Sequence, residues 1–263
     1  TLALTLYGDL DLSVVDELPP GRQPIRTRWV QKEKRAGVYQ FIRNQVAEGR
    51  QAFAVYPLID ESETINARAA LVEKDRLDQE VFPDLTVGLL HGRMPLKEKQ
   101  EIMEKFRQKE MDILVSTPVV EVGVDIPNAT VMLIEGADRF GLSQLHQFRG
   151  RVGRSEYASY CILIAESPSE EAEARLKAME RLNDGFKLSE VDLELRGPGE
   201  FFGTKQSGLP DLKMARLTDY DLLTKARTEA KTLLESDPGL SSSEHRNLAE
   251  SLSSLYRNSN KDN

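Results

Sequence analysis

Cysteine and histidine are both scarce. Cys161 stands alone, and His91, His146 and His245 are scattered through 263 residues. One thiol cannot close an internal disulfide, and three widely separated imidazoles give no ligand set at zinc spacing, so a disulfide scaffold and a structural metal site are both excluded. No stretch approaches the ~20 consecutive apolar residues of a membrane-spanning helix. The opening residues, Thr1 to Leu6, lack both a basic flank and a small-residue cleavage site, so neither an anchor nor a secretory signal is visible. The expectation is a soluble, cytoplasmic protein with no membrane partner. Basic residues are outnumbered, 35 Lys and Arg against 43 Asp and Glu, for a formal charge of -8. That balance argues against sequence-independent nucleic-acid binding by a uniformly basic surface, though not against local patches. Internal repeats and low-complexity tracts are absent.

The charge is uneven. Arg22, Arg26, Arg28, Lys32, Lys34, Arg35, Arg43 and Arg50 face only Glu33 and Glu48, whereas the balance reverses between Leu58 and Asp84. A solvated face accounts for either run taken alone.

Hydrophobic periodicity gives an alternation of strand and helix. Ile25 to Val30 alternates as a strand; Val38, Phe41, Ile42 and Val46 share one helical face; Ala52 to Leu58 is a short apolar run. A polar helix over Thr64 to Val81 follows, then a strand at Thr86 to Leu90. Pro95 opens a helix whose apolar face is Leu96, Ile102, Met103 and Phe106. Strands at Ile113 to Ser116 and Thr130 to Ile134, a helix from Ser143 and a strand at Ser159 to Ile164 complete the series. Such an alternation calls for an α/β fold, a parallel sheet with helices on both faces, over residues 21–166. Beyond it the texture changes. A Glu-rich helix from Ser169 to Leu182 and an amphipathic stretch from Leu188 to Leu195 lead into a segment where Gly197, Pro198, Gly199, Gly203 and Gly208 are expected to break regular structure. Helical spacing resumes at Asp219 to Leu234 and Glu244 to Tyr256, so residues 167–263 are expected to form a second, mainly helical unit with a glycine-rich loop.

The strongest local signal is Gln147-Phe-Arg-Gly-Arg-Val-Gly-Arg154, with three arginines, Arg149, Arg151 and Arg154, interleaved with Gly150 and Gly153. Glycine lets a backbone turn sharply and approach a ligand closely. Arginine, always charged and carrying a planar donor fork, suits phosphate oxygens. The alternative is structural: arginines at a helix end could pair with Asp138, Glu135 or Glu156. Against it stands the upstream segment from Ile113, where a buried strand ends in Ser116-Thr117 and a loop delivers Gly123 and Asp125. Ligands of parallel α/β sheets bind at the carboxyl ends of the strands.

Together, the strand-end Ser/Thr, the Gly-x-Asp loop and the Gln-x-x-Gly-Arg-x-Gly-Arg cluster resemble motifs V and VI of superfamily 2 helicases. Ala54-Val-Tyr-Pro-Leu-Ile looks like motif IV, and Leu90-His-Gly-Arg-Met resembles the motif that follows it. The segment from Phe186 through Arg-Gly-Pro-Gly-Glu-Phe-Phe-Gly-Thr-Lys-Gln-Ser-Gly208 is similar to the one after motor lobe two in the RecG family of bacterial branched-DNA translocases, with a related copy in transcription-repair coupling factor. The resemblance covers essentially the whole chain. It implies a RecA-like fold, with residues 1–20 as a connector from a first motor lobe. The chain has no Gly-x4-Gly-Lys-Ser/Thr phosphate loop and no Asp-Glu-x-His/Asp magnesium box. It is therefore expected to be the carboxy-terminal portion of a longer enzyme, inactive as an ATPase by itself.

The resemblance further implies roles for particular residues. Arg154 would be the arginine finger, Arg151 a second phosphate ligand, and Gln147 a contact to the γ-phosphate or its attacking water. Gly123, Asp125, Gly150 and Gly153 would approach the nucleotide. Ser116, Thr117, His91 and Arg93 would touch the DNA backbone, although a lone histidine such as His91 is also read as structural. Arg175, Arg196 and Gln206 would couple hydrolysis to movement, with an ordinary ion pair to Glu171 as the competing explanation for Arg175. Arg149 holds a variable place in the pattern and receives no role. The implied cofactors are ATP and Mg2+, held mainly by the first motor lobe. The implied partners are that lobe, a wedge domain of the same protein and branched double-stranded DNA, in the nucleoid of a bacterial cytoplasm. The equivalent part of transcription-repair coupling factor is the near alternative, and a stand-alone, non-hydrolysing nucleic-acid-binding module is the alternative from another class.

Overall fold

The computed structural model of the chain describes residues 23–57, 63–118, 125–201 and 220–259; the expected connector, residues 1–20, lies outside them. The chain divides into two compact units, with the boundary between Leu195 and Arg196.

In the first unit, six strands form one sheet in which every pairing is parallel. They are β1 (Arg26–Gln31), β2 (Gln51–Val55), β3 (Val87–Leu90), β4 (Ile113–Ser116), β5 (Ala129–Ile134) and β6 (Tyr160–Ala165), in the order β1-β6-β5-β2-β4-β3. The central strands β2, β4 and β5 are buried at every residue, which is why they read as continuous apolar runs. Their side chains alternate between two cores. Phe53, Val55, Leu114, Met132 and Ile134 join one cluster with Met103, Phe106, Leu145, Phe148 and Leu176. Ala52, Ala54, Ile113, Val115, Val131 and Leu133 join the other with Val38, Ile42, Leu77 and Phe82. Helices α1 (Arg35–Ala47) and α2 (Glu63–Arg76, continued by a π-turn to Val81) therefore cover one face. Helices α3 (Leu96–Arg107), α4 (Leu142–Arg149) and α5 (Glu170–Arg181) cover the other. The expected α/β fold is present, with helices on both faces. Leu96, expected on the apolar face of α3, is instead 63% exposed, whereas Met103 and Phe106 further along the helix join the core.

Helix α5 begins with Ser169 as its cap, the hydroxyl accepting from the Ala172 N–H at 3.3 Å. It lies beyond the sheet region expected to end at residue 166, yet its Leu176 and Met179 are in the sheet's core. Its Glu180 carboxylate accepts from the Trp29 N–H at 2.8 Å, so the open edge of β1 is partly occupied from within the chain. Helix α6 (Gly185–Phe201) buries Leu188 in the same core. Its backbone stays helical through Gly197, Pro198 and Gly199, where a break was expected. Intrinsic propensity is a weak prior that tertiary context overrides, so Gly and Pro residues do not by themselves end a helix. Gly203 and Gly208 lie outside the described residues.

In the second unit, α7 (Tyr220–Ser236) and α8 (Arg246–Ser259) are joined by a turn held on one side chain. The Asp237 carboxylate accepts from the Ser241 and Ser242 N–H groups at 3.0 and 2.9 Å and lies 2.9 Å from the His245 Nδ1. The contact with His245 leads the causes that hold this carboxyl well below the usual carboxylate range.

Candidate nucleotide and nucleic-acid site

The structure divides the expected site residues between the two ends of the sheet. Parallel strands share one direction, so residues just before β5 and β6 lie at the amino end of the sheet, and residues just after β3 and β4 lie at the carboxyl end. A strand of six residues separates the ends by roughly 17–20 Å.

At the amino end, α4 delivers the arginine cluster. Leu142, Leu145, Phe148 and Arg149 are its buried residues, and Phe148 meets Phe140 edge to face at a ring separation of 5.3 Å. Arg149 is only 2% exposed. Its guanidinium donates to the carbonyls of Met179, Leu182 and Asn183 at 3.1, 2.7 and 3.2 Å. Those carbonyls terminate α5, so Arg149 closes the end of one helix from the end of another. Burial lowers its pKa. It also contacts the His146 Nδ1 at 3.0 Å, and burial, then Arg149, lowers the pKa of that imidazole. The structural explanation considered for the cluster thus holds for Arg149, with backbone carbonyls as partners in place of acids. Its spacing from Leu142 and Leu145 was the available signal, since i, i+3 and i+7 share a helical face.

Arg154 behaves differently. Its Nε donates to the Gly150 carbonyl at 3.0 Å and its Nη1 lies 3.3 Å from the Asp125 carboxylate. Both side chains of that pair are open to solvent, 31% and 56% exposed, and such exposed pairs contribute little to stability. Arg154 and Asp125, 29 residues apart in sequence, are therefore together at the surface, with Gly150 beneath them. Gln147 is exposed one helical turn earlier, and Arg151 is half-buried. Gly153 has φ +73°, and a Cβ there would stand 2.7 Å from the Ile25 side chain, so this turn accepts only glycine without strain. Gly150 has an ordinary helical φ of -66°. Gly123 lies outside the described residues.

The carboxyl end gathers the expected DNA contacts. Ser116 and Thr117 are buried. The Ser116 hydroxyl donates to the Thr117 carbonyl at 2.5 Å, whereas Thr117 Oγ1 is buried without a hydrogen-bond partner. Thr117 N–H donates to the Leu90 carbonyl at 3.2 Å, which brings this strand end beside His91. His91 is half-buried, with Nδ1 unpartnered, and burial lowers its pKa. Arg93 is exposed, and Lys99 ties the same turn by donating to the Gly92 carbonyl at 2.6 Å. Asp125 precedes β5, toward the amino end, whereas Ser116 closes β4 at the carboxyl end.

A third set was not anticipated as a unit. Glu135, 4% exposed at the end of β5, pairs with Arg35 at 2.7 Å; Tyr39 donates to the same carboxylate at 3.4 Å, and Arg76 joins Tyr39 to Glu73 at 3.0 and 2.9 Å. Arg35, expected in a solvated basic run, is therefore a core partner of Glu135. Arg175 pairs with Glu171 at 2.5 Å and donates to the Asp138 carbonyl at 3.1 Å, so the ion pair weighed against its coupling role exists. The Arg196 side chain and Gln206 lie outside the described residues. Among the described residues, no three His, Cys, Asp or Glu side chains converge as a metal site, and no helix is long and apolar enough to cross a membrane.

Residues 33–156 match the family "Helicase conserved C-terminal domain", which defines the class of this sheet and its arginine cluster. Residues 182–262 match "ATP-dependent DNA helicase RecG, domain 3, C-terminal". The chain is 54% identical over 241 residues to the ATP-dependent DNA helicase RecG of Synechocystis sp., covering 91% of this chain and 29% of that protein. It is 49% identical over 238 residues to that of Bacillus subtilis, covering 90% and 35%. A solved structure of RecG bound to a three-way DNA junction superimposes with a TM-score of 0.67 at 47% identity, over 84% of this chain and 28% of that one. The chain belongs to the RecG family and spans about a third of the length of the relatives it matches.

Proposed function

We propose that the chain is the second motor lobe and coupling segment of an ATP-driven double-stranded DNA translocase that remodels branched DNA such as replication forks and Holliday junctions. The observation that carries this reading is the contrast within one cluster: Arg149 is enclosed by the fold, whereas Arg154 stays at the surface beside Asp125. A guanidinium facing solvent fits a polyphosphate held from across a cleft, and an arginine supplied in this way is worth roughly 10³–10⁵ in rate. ATP with Mg2+ brings the phosphoryl group whose transfer to water drives such a motor. Arg154 then stabilises charge as it develops, Arg151 adds a second cation, and Gln147 orients the γ-phosphate side, while Asp125 and Gly123 approach the ribose. Gly150 and Gly153 keep the backbone close.

Ser116, Thr117, His91 and Arg93 take the phosphodiester backbone at the other end of the sheet, a mode of contact that positions without reading sequence. Arg175, Arg196 and Gln206 transmit lobe closure to the tail. The junction-bound relative supports the branched substrate, and the match of residues 182–262 to the RecG-specific family favours this reading over transcription-repair coupling factor. The test uses the full-length protein carrying this chain, with hydrolysis of ATP measured on a three-way junction and on linear duplex. Stronger stimulation by the junction is expected. Equal rates on junction and duplex would remove the branched substrate, and no hydrolysis above background on either DNA would point instead to a non-hydrolysing binding module.

A further inference from the structure

The turn between α4 and β6 carries Arg154 and, three residues on, Tyr157, which is 40% exposed. The Arg50 guanidinium carbon lies 3.4 Å from the centre of the Tyr157 ring. A cation at this distance over an aromatic face is held by the ring quadrupole, and among the described residues Arg50 pairs with no carboxylate. What fixes Arg50 is an amide lattice. Its Nη1 donates to Asn128 Oδ1 at 3.2 Å, and the Asn128 amide donates to the Gly49 carbonyl and to Gln51 Oε1, both at 3.0 Å. The Gln51 amide, 3% exposed, donates to the carbonyls of Phe106 and Met111 at 2.6 and 2.7 Å. Every amide hydrogen and carbonyl oxygen of the two carboxamides is used, and a fully satisfied network anchored on a buried Gln51 is rigid.

Other ties on the same turn reach the β1 side of the sheet. Gln23 donates to the Glu156 carbonyl at 3.1 Å, and Gly153 packs under Ile25. The Arg50 stack ties the turn to the central strand β2 and, through Gln51, to the end of α3.

We propose that Arg50 and Tyr157 are positioning residues that hold the 150–158 turn where Arg154 can reach phosphate, with Asn128 and Gln51 as their anchor. This rests on the phosphate role of Arg154 given above. Neither residue touches the nucleotide; their effect runs through where Arg154 stands.

The experiment uses the full-length protein with Tyr157→Leu, Tyr157→Phe, Arg50→Gln and Arg154→Ala. Hydrogen exchange of the 150–158 segment is read without nucleotide, and ATP hydrolysis is read in parallel. Tyr157→Leu and Arg50→Gln should speed exchange in that segment alone and lower kcat by roughly three- to thirtyfold at unchanged KM. Tyr157→Phe, which keeps the ring, should restore both. Wild-type exchange and wild-type kcat in Tyr157→Leu would overturn the proposal, as would a rise in KM at unchanged kcat, which marks direct substrate contact. Retained hydrolysis in Arg154→Ala removes the finger reading instead, and exchange then still decides whether the stack holds the turn.

Discussion

The Arg149 guanidinium stands 2.7 Å from the Leu182 carbonyl, five residues before an arginine whose nearest acid, Asp125, is 3.3 Å away at the surface. Neighbours of identical chemistry are thus divided by helical phase, one turned into the core beside Leu145 and the other carried past the helix end by the turn at Gly153.

Arg149→Met keeps much of the side-chain volume but strands the carbonyls of Met179, Leu182 and Asn183. Unsatisfied buried acceptors and altered packing should cost roughly 2–4 kcal/mol. Urea unfolding of the chain should show the loss, and Arg149→Lys should not restore it, because an ammonium lacks the fork that reaches several carbonyls. Unchanged stability would mean that these contacts do not close α5.

Gly153→Ala should destabilise by roughly 1–3 kcal/mol, from a left-handed φ of +73° and a Cβ 2.7 Å from Ile25. Pairing it with Ile25→Ala should recover the steric share and leave the backbone share, a split that a double-mutant cycle measures.

His146 gives a pH dependence. Burial, then Arg149, lowers its folded pKa below the ordinary 6.5, so the native state binds fewer protons than the unfolded one. The stability it contributes is complete above 6.5 and is lost as pH falls through the folded value. His91 is shifted in the same direction by burial. The urea midpoint should therefore drop between about pH 7 and about pH 5, and less steeply in His146→Gln, which does not titrate. Parallel curves for the two proteins would remove His146 as a source.

Cys161 should be inert in the native state. Its thiol is fully buried in β6, and burial pushes its pKa up to about 12, so thiolate is scarce at about pH 8. Iodoacetamide should label it only on unfolding, with mass spectrometry as the readout. Rapid native labelling would contradict its place in the core.

Much of the sheet was legible because its strands are short, apolar and buried on both faces, as in Ile113–Ser116. The surface helices were legible from spacing, as with Met103 and Phe106 on α3. Direction along the sheet was not. Ser116 and Asp125 are near in sequence, yet one closes β4 and the other precedes β5, and both strands run parallel to β2. Nor could composition tell Arg35, which neutralises a buried Glu135, from the basic residues around it. Pairings at a sequence separation of 100 leave no local pattern. The same holds for Arg50 and Tyr157, whose meeting depends on β2 lying one strand away from β6.

The most direct measurement is steady-state ATP hydrolysis by the full-length protein on a three-way junction, wild type against Arg154→Ala, with circular dichroism to verify folding. A fall of about thousandfold or more with an unchanged spectrum is the expected result. Hydrolysis retained to within about tenfold would contradict the role of Arg154 in phosphoryl transfer.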